Sequence, residues 1–265
     1  MDGIIGMAGV YVPMKDNSMN LHRMKFLNTY VNSLSLSEIL LFMDECISRK
    51  DYIHLVSVNV DQIMKIENNS EFRNVVNHAE LVITDGTPLM WIARLLKTPI
   101  KQKIPGPYLA EEVLRHSAQK GYNVFLLGAA KGVAVKASDR MRAKYKGLNI
   151  VGTYSPPIGF ECSKDEINHI NNLLAKSEAD IVIVGLGAPK QELFVYGNKE
   201  YYKVPVSLSL GAAIDFMAGN VRRAPGWINR LGFEWLFRFF LEPKRLFKRY
   251  FLDDLKIINL IFKYK

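Results

Sequence analysis

The chain has 265 residues, 49% of them hydrophobic and 23% charged, ordinary values for a globular domain with room for one sizeable core and an appendage. It holds no run of about 18 apolar residues, so no transmembrane helix is expected. Its two cysteines and five scattered histidines exclude a disulfide framework and show no metal-ligand spacing. The net charge is +9, and residues 221–265, with eleven Lys/Arg against four Asp/Glu, carry seven of those nine charges. A patch so concentrated implies an anionic partner: nucleic acid, an anionic membrane surface or a phosphorylated substrate.

Residues 1–23 include the apolar GIIGMAGVYVPM, which lacks the basic flank of a signal peptide. They are expected to be a loose arm, or to precede the true start at Met24. SLSEILLFMDECISR (35–49) opens with a capping box, Ser35 and Glu38, and continues at helical period. IHLVSVNV (53–60) is a buried strand, and DQIMKIENNSEFRNVVNHA is helical on both sides of an Asn-Asn-Ser break. AELVITDG (79–86) is the next strand, followed by helices in TPLMWIARLLK and GPYLAEEVLRHSAQKG. NVFLLGAAKG (123–132) is a strand entering a glycine turn, VAVKASDRMRAKY a helix and LNIVGTYS a strand. DEINHINNLLAKSEA is a helix, DIVIVGLG (180–187) a strand and VPVSLSLGAA the last strand.

Apolar strands alternating with helices of about 10–15 residues predict a Rossmann-like α/β domain over 24–220. Its sheet is mainly parallel and has helices on both faces. Residues 221–265 form a helical basic-aromatic appendage in which Pro243 breaks the helix. Ligands bind such sheets beyond the carboxyl ends of the strands, which directs attention to five places.

Asp85 follows a strand directly and can act as a general base toward a hydroxyl; equally, Asp85-Gly86 can be a turn that caps the next helix. Gly128 and Gly132 bracket a strand-to-helix turn whose backbone N–H groups can hold a diphosphate. The spacing is neither the dinucleotide fingerprint nor a P-loop, and glycine also occurs at such turns for steric reasons. In GLGAPKQE (185–192), Gln191 offers donors and an acceptor to a sugar or phosphate; the plain alternative is a solvated helix start with a capping glutamate. Ser57 with Asn59, and Gly211 to Asp215, complete the set. No D-x-D occurs, so a bound diphosphate is expected to be neutralised by cationic side chains and helix N-termini without a metal or other cofactor.

SVN (57–59), TDG (84–86), IPGP (104–107), FLLGAAKG (125–132), VGLGAPKQE (184–192), GAAIDFMAGNVRRAP (211–225) and LGFEWLFRFFLEPKRLFKRY (231–250) occur in this order. Together they resemble the WecG/TagA/CpsF family of bacterial glycosyltransferases over roughly residues 25–250. The resemblance implies inverting, metal-independent transfer from a UDP-sugar to a sugar on undecaprenyl diphosphate, at the cytoplasmic face of the membrane. The products would be wall teichoic acid linkage units, enterobacterial common antigen, or capsule and exopolysaccharide repeats. N-acetylmannosamine is the best single donor assignment.

By that resemblance Asp85 is the base, Ser57 and Gln191 serve catalysis, and Asn59 lines the donor pocket. Asp215 belongs to the nucleotide, and Lys103 stands where arginine is common. Arg238, Arg245, Lys248 and Arg249 reach a diphosphate. Asn59-Val60-Asp61 departs from the usual Asn-Pro-Glu, which puts the local turn in question. The implied partners are the UDP-sugar, the polyprenyl-diphosphate-linked acceptor and an anionic membrane surface, with a homo-oligomer left open. A nucleic-acid-binding protein is the rival from another class, and the near-neutral body without a helix-turn-helix tells against it. A non-catalytic enhancer of another transferase is the third reading.

Overall fold

A computed structural model describes residues 21, 23–221, 225, 234–241, 243–248 and 254–264. Two short antiparallel strands, β1 (Arg23–Phe26) and β2 (Thr29–Asn32), precede helix α1 (Leu36–Arg49). The capping box expected at Ser35 is present: its side chain accepts from Glu38 N, and Glu38 accepts from Ser35 N at 2.7 Å. There follow β3 (Ile53–Val58), α2 (Val60–Asn68), α3 (Ser70–His78), β4 (Leu81–Thr84), α4 (Thr87–Leu95) and α5 (Gly106–Lys120). Then come β5 (Asn123–Gly128), α6 (Val133–Lys144), β6 (Asn149–Tyr154), α7 (Lys164–Lys176) and β7 (Ile181–Gly185). The domain ends with α8 (Lys190–Tyr202), β8 (Val206–Ser209) and α9 (Ala213–Ala218).

The six strands from β3 onward form one sheet in the order β4-β3-β8-β7-β5-β6, every pair parallel. Residues in β3, β4 and β8 are buried throughout, as a sheet covered on both faces requires. Alternation sorts the side chains. Ile53, Leu55, Leu81, Ile83, Ile181, Ile183, Val206 and Leu208 pack with α1, α5, α6 and α9. On the other face Val56, Val58 and Val82 pack with α2 and α4, while Phe125, Leu127, Val182 and Val184 pack with α7 and α8. Truncating Leu208, 0% exposed in the centre, to alanine should cost about 2–5 kcal/mol.

The hairpin β1–β2 has no counterpart in the sequence reading. Asn32 Oδ1 accepts from Val82 N at 2.9 Å, satisfying a backbone donor on the outer side of edge strand β4. Arg23 donates to Asn77 O at 2.8 Å and Thr29 Oγ1 to Asn77 Oδ1 at 2.9 Å, tying the hairpin to α3.

Beyond the sheet domain lie α10 (Glu234–Leu241), α11 (Pro243–Lys248) and α12 (Ile257–Tyr264). Pro243 opens a separate helix, as expected. The last helix returns to the body. Ile257 and Leu260 are buried in one cluster with Ile63 and Ile66 of α2. Lys263 Nζ and Tyr264 Oη donate to Glu67 at 2.6 and 3.0 Å. Burial pushes the Glu67 carboxyl up, but donors from Lys263, Asn28 and Tyr264 outweigh it and hold it below its ordinary value. Part of the basic-aromatic segment is therefore packed against the sheet domain.

Candidate functional site

Because β4, β3, β8, β7 and β5 are adjacent and parallel, their carboxyl ends form one continuous edge. The turns carrying Asp85, Asn59, Gly211 with Asp215, Gly187 with Gln191, and Gly128 with Gly132 all open there, and Ser57 is the penultimate residue of β3. Residues scattered over about 160 positions of sequence thus share one rim, the region where such sheets bind ligands.

At the β4 end, Asp85 N donates to Val58 O at 2.7 Å, which fixes the residue beside β3. Its Oδ2 accepts from Gly106 N, the first residue of α5, at 3.2 Å. The carboxylate therefore sits at the positive end of a 15-residue helix, a location that favours negative charge. The alternative in which Asp85 caps the next helix does not hold. Asp85 caps α5, twenty-one residues on, while the adjoining α4 starts at Gly86 with no side-chain cap.

Ile104 N donates to Thr84 O at 3.1 Å and lays the Lys103–Gly106 segment along the end of β4. Lys103 Nζ donates to Thr87 Oγ1 at 3.3 Å, so a cation flanks the same turn as the carboxylate. Gly106 is tightly placed: a Cβ there would stand 3.1 Å from Leu210 O, which would have to give way slightly. Ser57, paired in register with Ile83, is 5% exposed, and its Oγ has no hydrogen-bond partner among the described residues. Buried hydroxyls rarely stay unpaired, which sets this one apart within β3.

Asn59 is the N-cap of α2: its Oδ1 accepts from Gln62 N at 3.3 Å and its N donates to Gln62 Oε1 at 3.0 Å. The turn questioned at Asn59-Val60-Asp61 is intact, with Asp61 in the first helical turn and 2.9 Å from Lys65.

On the other side of the edge, glycines bring backbones together. A Cβ on Gly128 would meet Gly185 O at 2.5 Å, and one on Gly185 would meet Gly211 O at 2.8 Å. The strand ends can close up because Gly128 and Gly185 lack side chains, whereas Gly211, at φ +59°, has open space where a Cβ would be. Gly132 is the N-cap of α6 at φ +81°, with open space where a Cβ would be, and is exposed. Asp215 is half-buried in the first turn of α9. The SPPIG loop is pinned over the glycine turn by Ser155 Oγ, which donates to Gly128 O at 3.1 Å and reaches Ala130 O at 3.3 Å.

Gln191 and Glu192 do not form the solvated helix start that the sequence also allows. Neither is solvated: each is 0% exposed at the start of α8. Gln191 Oε1 accepts from Gly187 N and from Gly211 N, both at 3.2 Å, and its Nε2 donates to Glu192 Oε1 at 2.7 Å. The Gln191 amide is therefore engaged with the protein itself. Burial raises the Glu192 carboxyl to about 7, against the lowering effect of the Gln191 hydrogen bond. Gly106 and Gly185, and the burial of Glu192, are features that sequence reasoning did not single out. Gly106 lay within a recognised motif; the burial of Glu192 carried no signal in a polar run.

Arg238 lies within α10, and Arg245 and Lys248 within α11, but their side chains, like the whole of Arg249, lie outside the described residues. Among the described residues no group of three or more His, Cys, Asp or Glu is arranged to hold a metal ion. None of the described helices is long and apolar enough to cross a membrane.

A model of the Glycosyl transferase WecG/TagA/CpsF family matches residues 24–265. Two curated relatives are each named N-acetylglucosaminyldiphosphoundecaprenol N-acetyl-beta-D-mannosaminyltransferase. The one from Bacillus spizizenii is 30% identical over 191 residues, covering 72% of each chain. The one from Bacillus subtilis strain 168 is 29% identical over 216 residues, covering 82% of each. A sheet edge with a carboxylate at one end and glycine turns at the other suits sugar transfer, and with the match spanning nearly the whole chain, this protein belongs to the WecG/TagA/CpsF family of glycosyltransferases.

Proposed function

We propose that this glycosyltransferase moves a hexose or N-acetylhexosamine, N-acetylmannosamine as the best single assignment, from a UDP-sugar to a sugar carried on undecaprenyl diphosphate. The transfer inverts the anomeric centre, needs no metal, and belongs to cell-surface polysaccharide synthesis. The observation that carries this is Asp85, held at the carboxyl edge by Gly106 N, with Lys103 beside it. The names of the two relatives supply the acceptor class and the sugar.

In the proposed step the acceptor hydroxyl attacks C1 of the donor sugar while Asp85 takes its proton. The bond from C1 to the β-phosphate oxygen breaks, and its electron pair leaves with UDP. A positioned base contributes about 10²–10⁴-fold. The departing diphosphate is stabilised by Lys103, the N-terminus of α6 and the cations of α10 and α11. The Ser57 hydroxyl, unpaired among the described residues, takes a polar group of the donor, and Asp215 and the Asn59 turn border the nucleotide.

Membrane attachment falls to the terminal segment at the inner face of the plasma membrane. Phe240, Phe247 and Phe262 are 71%, 54% and 76% exposed in a segment holding most of the net charge. Rings at a headgroup boundary with about 1 kcal/mol per nearby basic residue give reversible binding. Deleting residues 222–265 should abolish both liposome binding and transfer to a lipid acceptor.

The protein alone, with EDTA present, should be screened against UDP-sugars with a short-chain lipid-diphospho-N-acetylglucosamine acceptor, read by mass spectrometry. Addition of one N-acetylhexosamine from UDP-N-acetylmannosamine is expected. Transfer from no UDP-sugar, or only after metal is restored, would contradict the reading, and inactivity without a second transferase would favour an enhancer.

A further inference from the structure

Glu192 is a fully buried carboxyl that the proposed transfer step does not use. Its Oε1 accepts from Gln191 Nε2, and its Oε2 has no hydrogen-bond partner among the described residues. Lys65 and Asp61 of α2 are the charged groups that act on it. Lys65 is engaged elsewhere, donating to Ala188 O at 3.1 Å and pairing with Asp61 at 2.9 Å.

The neighbouring amide has only one acceptable orientation. Gly187 N–H and Gly211 N–H can only donate, so the end of Gln191 that meets them must be its oxygen. Its NH₂ must then find an acceptor in a dry environment, and Glu192 Oε1 is that acceptor. With the amide reversed, two N–H donors would face an NH₂, and the NH₂ position beside Glu192 would hold an oxygen against an oxygen. Each buried donor left unsatisfied costs about 1–3 kcal/mol.

We infer that Glu192 is a positioning residue: it fixes the Gln191 amide so that its oxygen clamps the β7–α8 turn to the β8–α9 turn. The clamp joins Gly187 to Gly211, twenty-four positions apart, next to the close approach of Gly185 to Gly211. These turns border the region assigned above to the donor, so the consequence for donor binding rests on that assignment. The existence of the clamp does not. Glu192 acts here as an acceptor and not as a charge, because either protonation state leaves a carboxyl oxygen for Gln191.

Three variants of the full chain test this: Glu192→Gln, Glu192→Met and Gln191→Met. Amide hydrogen exchange, read without substrate at Gly187 and Gly211, reports the clamp directly. Glu192→Met and Gln191→Met should speed exchange at both amides by roughly tenfold or more, with the centre of β7 unchanged. Glu192→Gln keeps an acceptor oxygen and should stay within about threefold of the parent. In steady-state assays Glu192→Met should raise the donor KM by roughly 10–100-fold with a smaller loss in kcat, and Glu192→Gln should restore it.

Unchanged protection in Gln191→Met would remove the clamp. Damage in Glu192→Gln equal to that in Glu192→Met would show that charge, not acceptance, is what matters, and would overturn the inference. If exchange responds as expected while the donor KM does not move, the clamp stands and the donor assignment falls. Should Glu192→Met fail to melt cooperatively, the Gln191→Met and Glu192→Gln pair still decides the outcome.

Discussion

Asp85 and Glu192 are two carboxyl groups at the same edge of one sheet, and their surroundings separate them. Asp85 is half-buried at the end of β4, one oxygen anchored by a backbone N–H at a helix N-terminus. Glu192 is sealed at the start of α8, touching an amide that is itself bound to two backbone N–H groups. Access to solvent with an anchored oxygen suits a group that must meet a substrate proton. Burial beside an amide suits a group that holds other groups in place. Residue type alone distinguishes neither role; the kind of donor and the exposure do.

That contrast can be broken most strongly at Asp85. Asp85→Asn keeps the shape but cannot accept a proton, and turnover should fall about 10²–10⁴-fold with the melting curve preserved. The same acid-to-amide change at Glu192 should cost less than about threefold. Similar losses at both sites would erase the distinction. Next in size is Lys103→Met, which removes the cation beside Asp85 and should lower kcat/KM about 10²-fold. Lys103→Arg should recover most of that loss, and steady-state assays on the two variants would show it.

A smaller effect concerns pH. Glu192 binds its proton more tightly in the folded chain, with its value raised from 4.5 to about 7. Between those values the folded state holds more protons than the unfolded state, so this group makes stability fall as pH rises, and above about 7 the loss is complete. Glu192→Gln removes the dependence, so it should gain stability relative to the parent as pH is raised from 4.5 to 8. Paired thermal melts across that range would show a constant offset if burial had no such effect.

The smallest effect is at Glu67, whose value is lowered. The contribution of its contacts with α12 is present above the ordinary carboxylate value of 4.5 and fades as pH falls through the lowered one. Glu67→Gln should loosen residues 257–264 slightly at neutral pH and abolish the additional loosening of the parent in acid, as hydrogen exchange would report.

Much of the sheet was legible because its strands are continuous runs such as IVIV and LVIT, which only burial on both faces explains. The helices followed from caps: Ser35 with Glu38, and Asn69 dividing α2 from α3 where Asn-Asn-Ser had been read as a break. The hairpin β1–β2 was not legible. Its turn runs through Leu27 at φ +52°, where a turn signal would be glycine or asparagine, and its strands show no strict alternation.

Strand ends were read too long at 59–60 and 85–86, because the polar residues there leave the ladder to cap helices. Position after a strand directs attention to Asp85 and the glycine turns, which the structure places along one edge, whereas Ser57 lies within β3 itself. Position could not show that Gln191 points inward. That depends on two backbone N–H groups from separate turns, which become neighbours only when β7 and β8 pair.

The most direct test of the account is to measure UDP binding by titration calorimetry and sugar transfer by mass spectrometry on one preparation of Asp85→Asn. The account predicts UDP affinity close to that of the parent chain, because the base does not hold the nucleotide, together with loss of transfer to the lipid-linked acceptor. Near-normal transfer by that variant would contradict it.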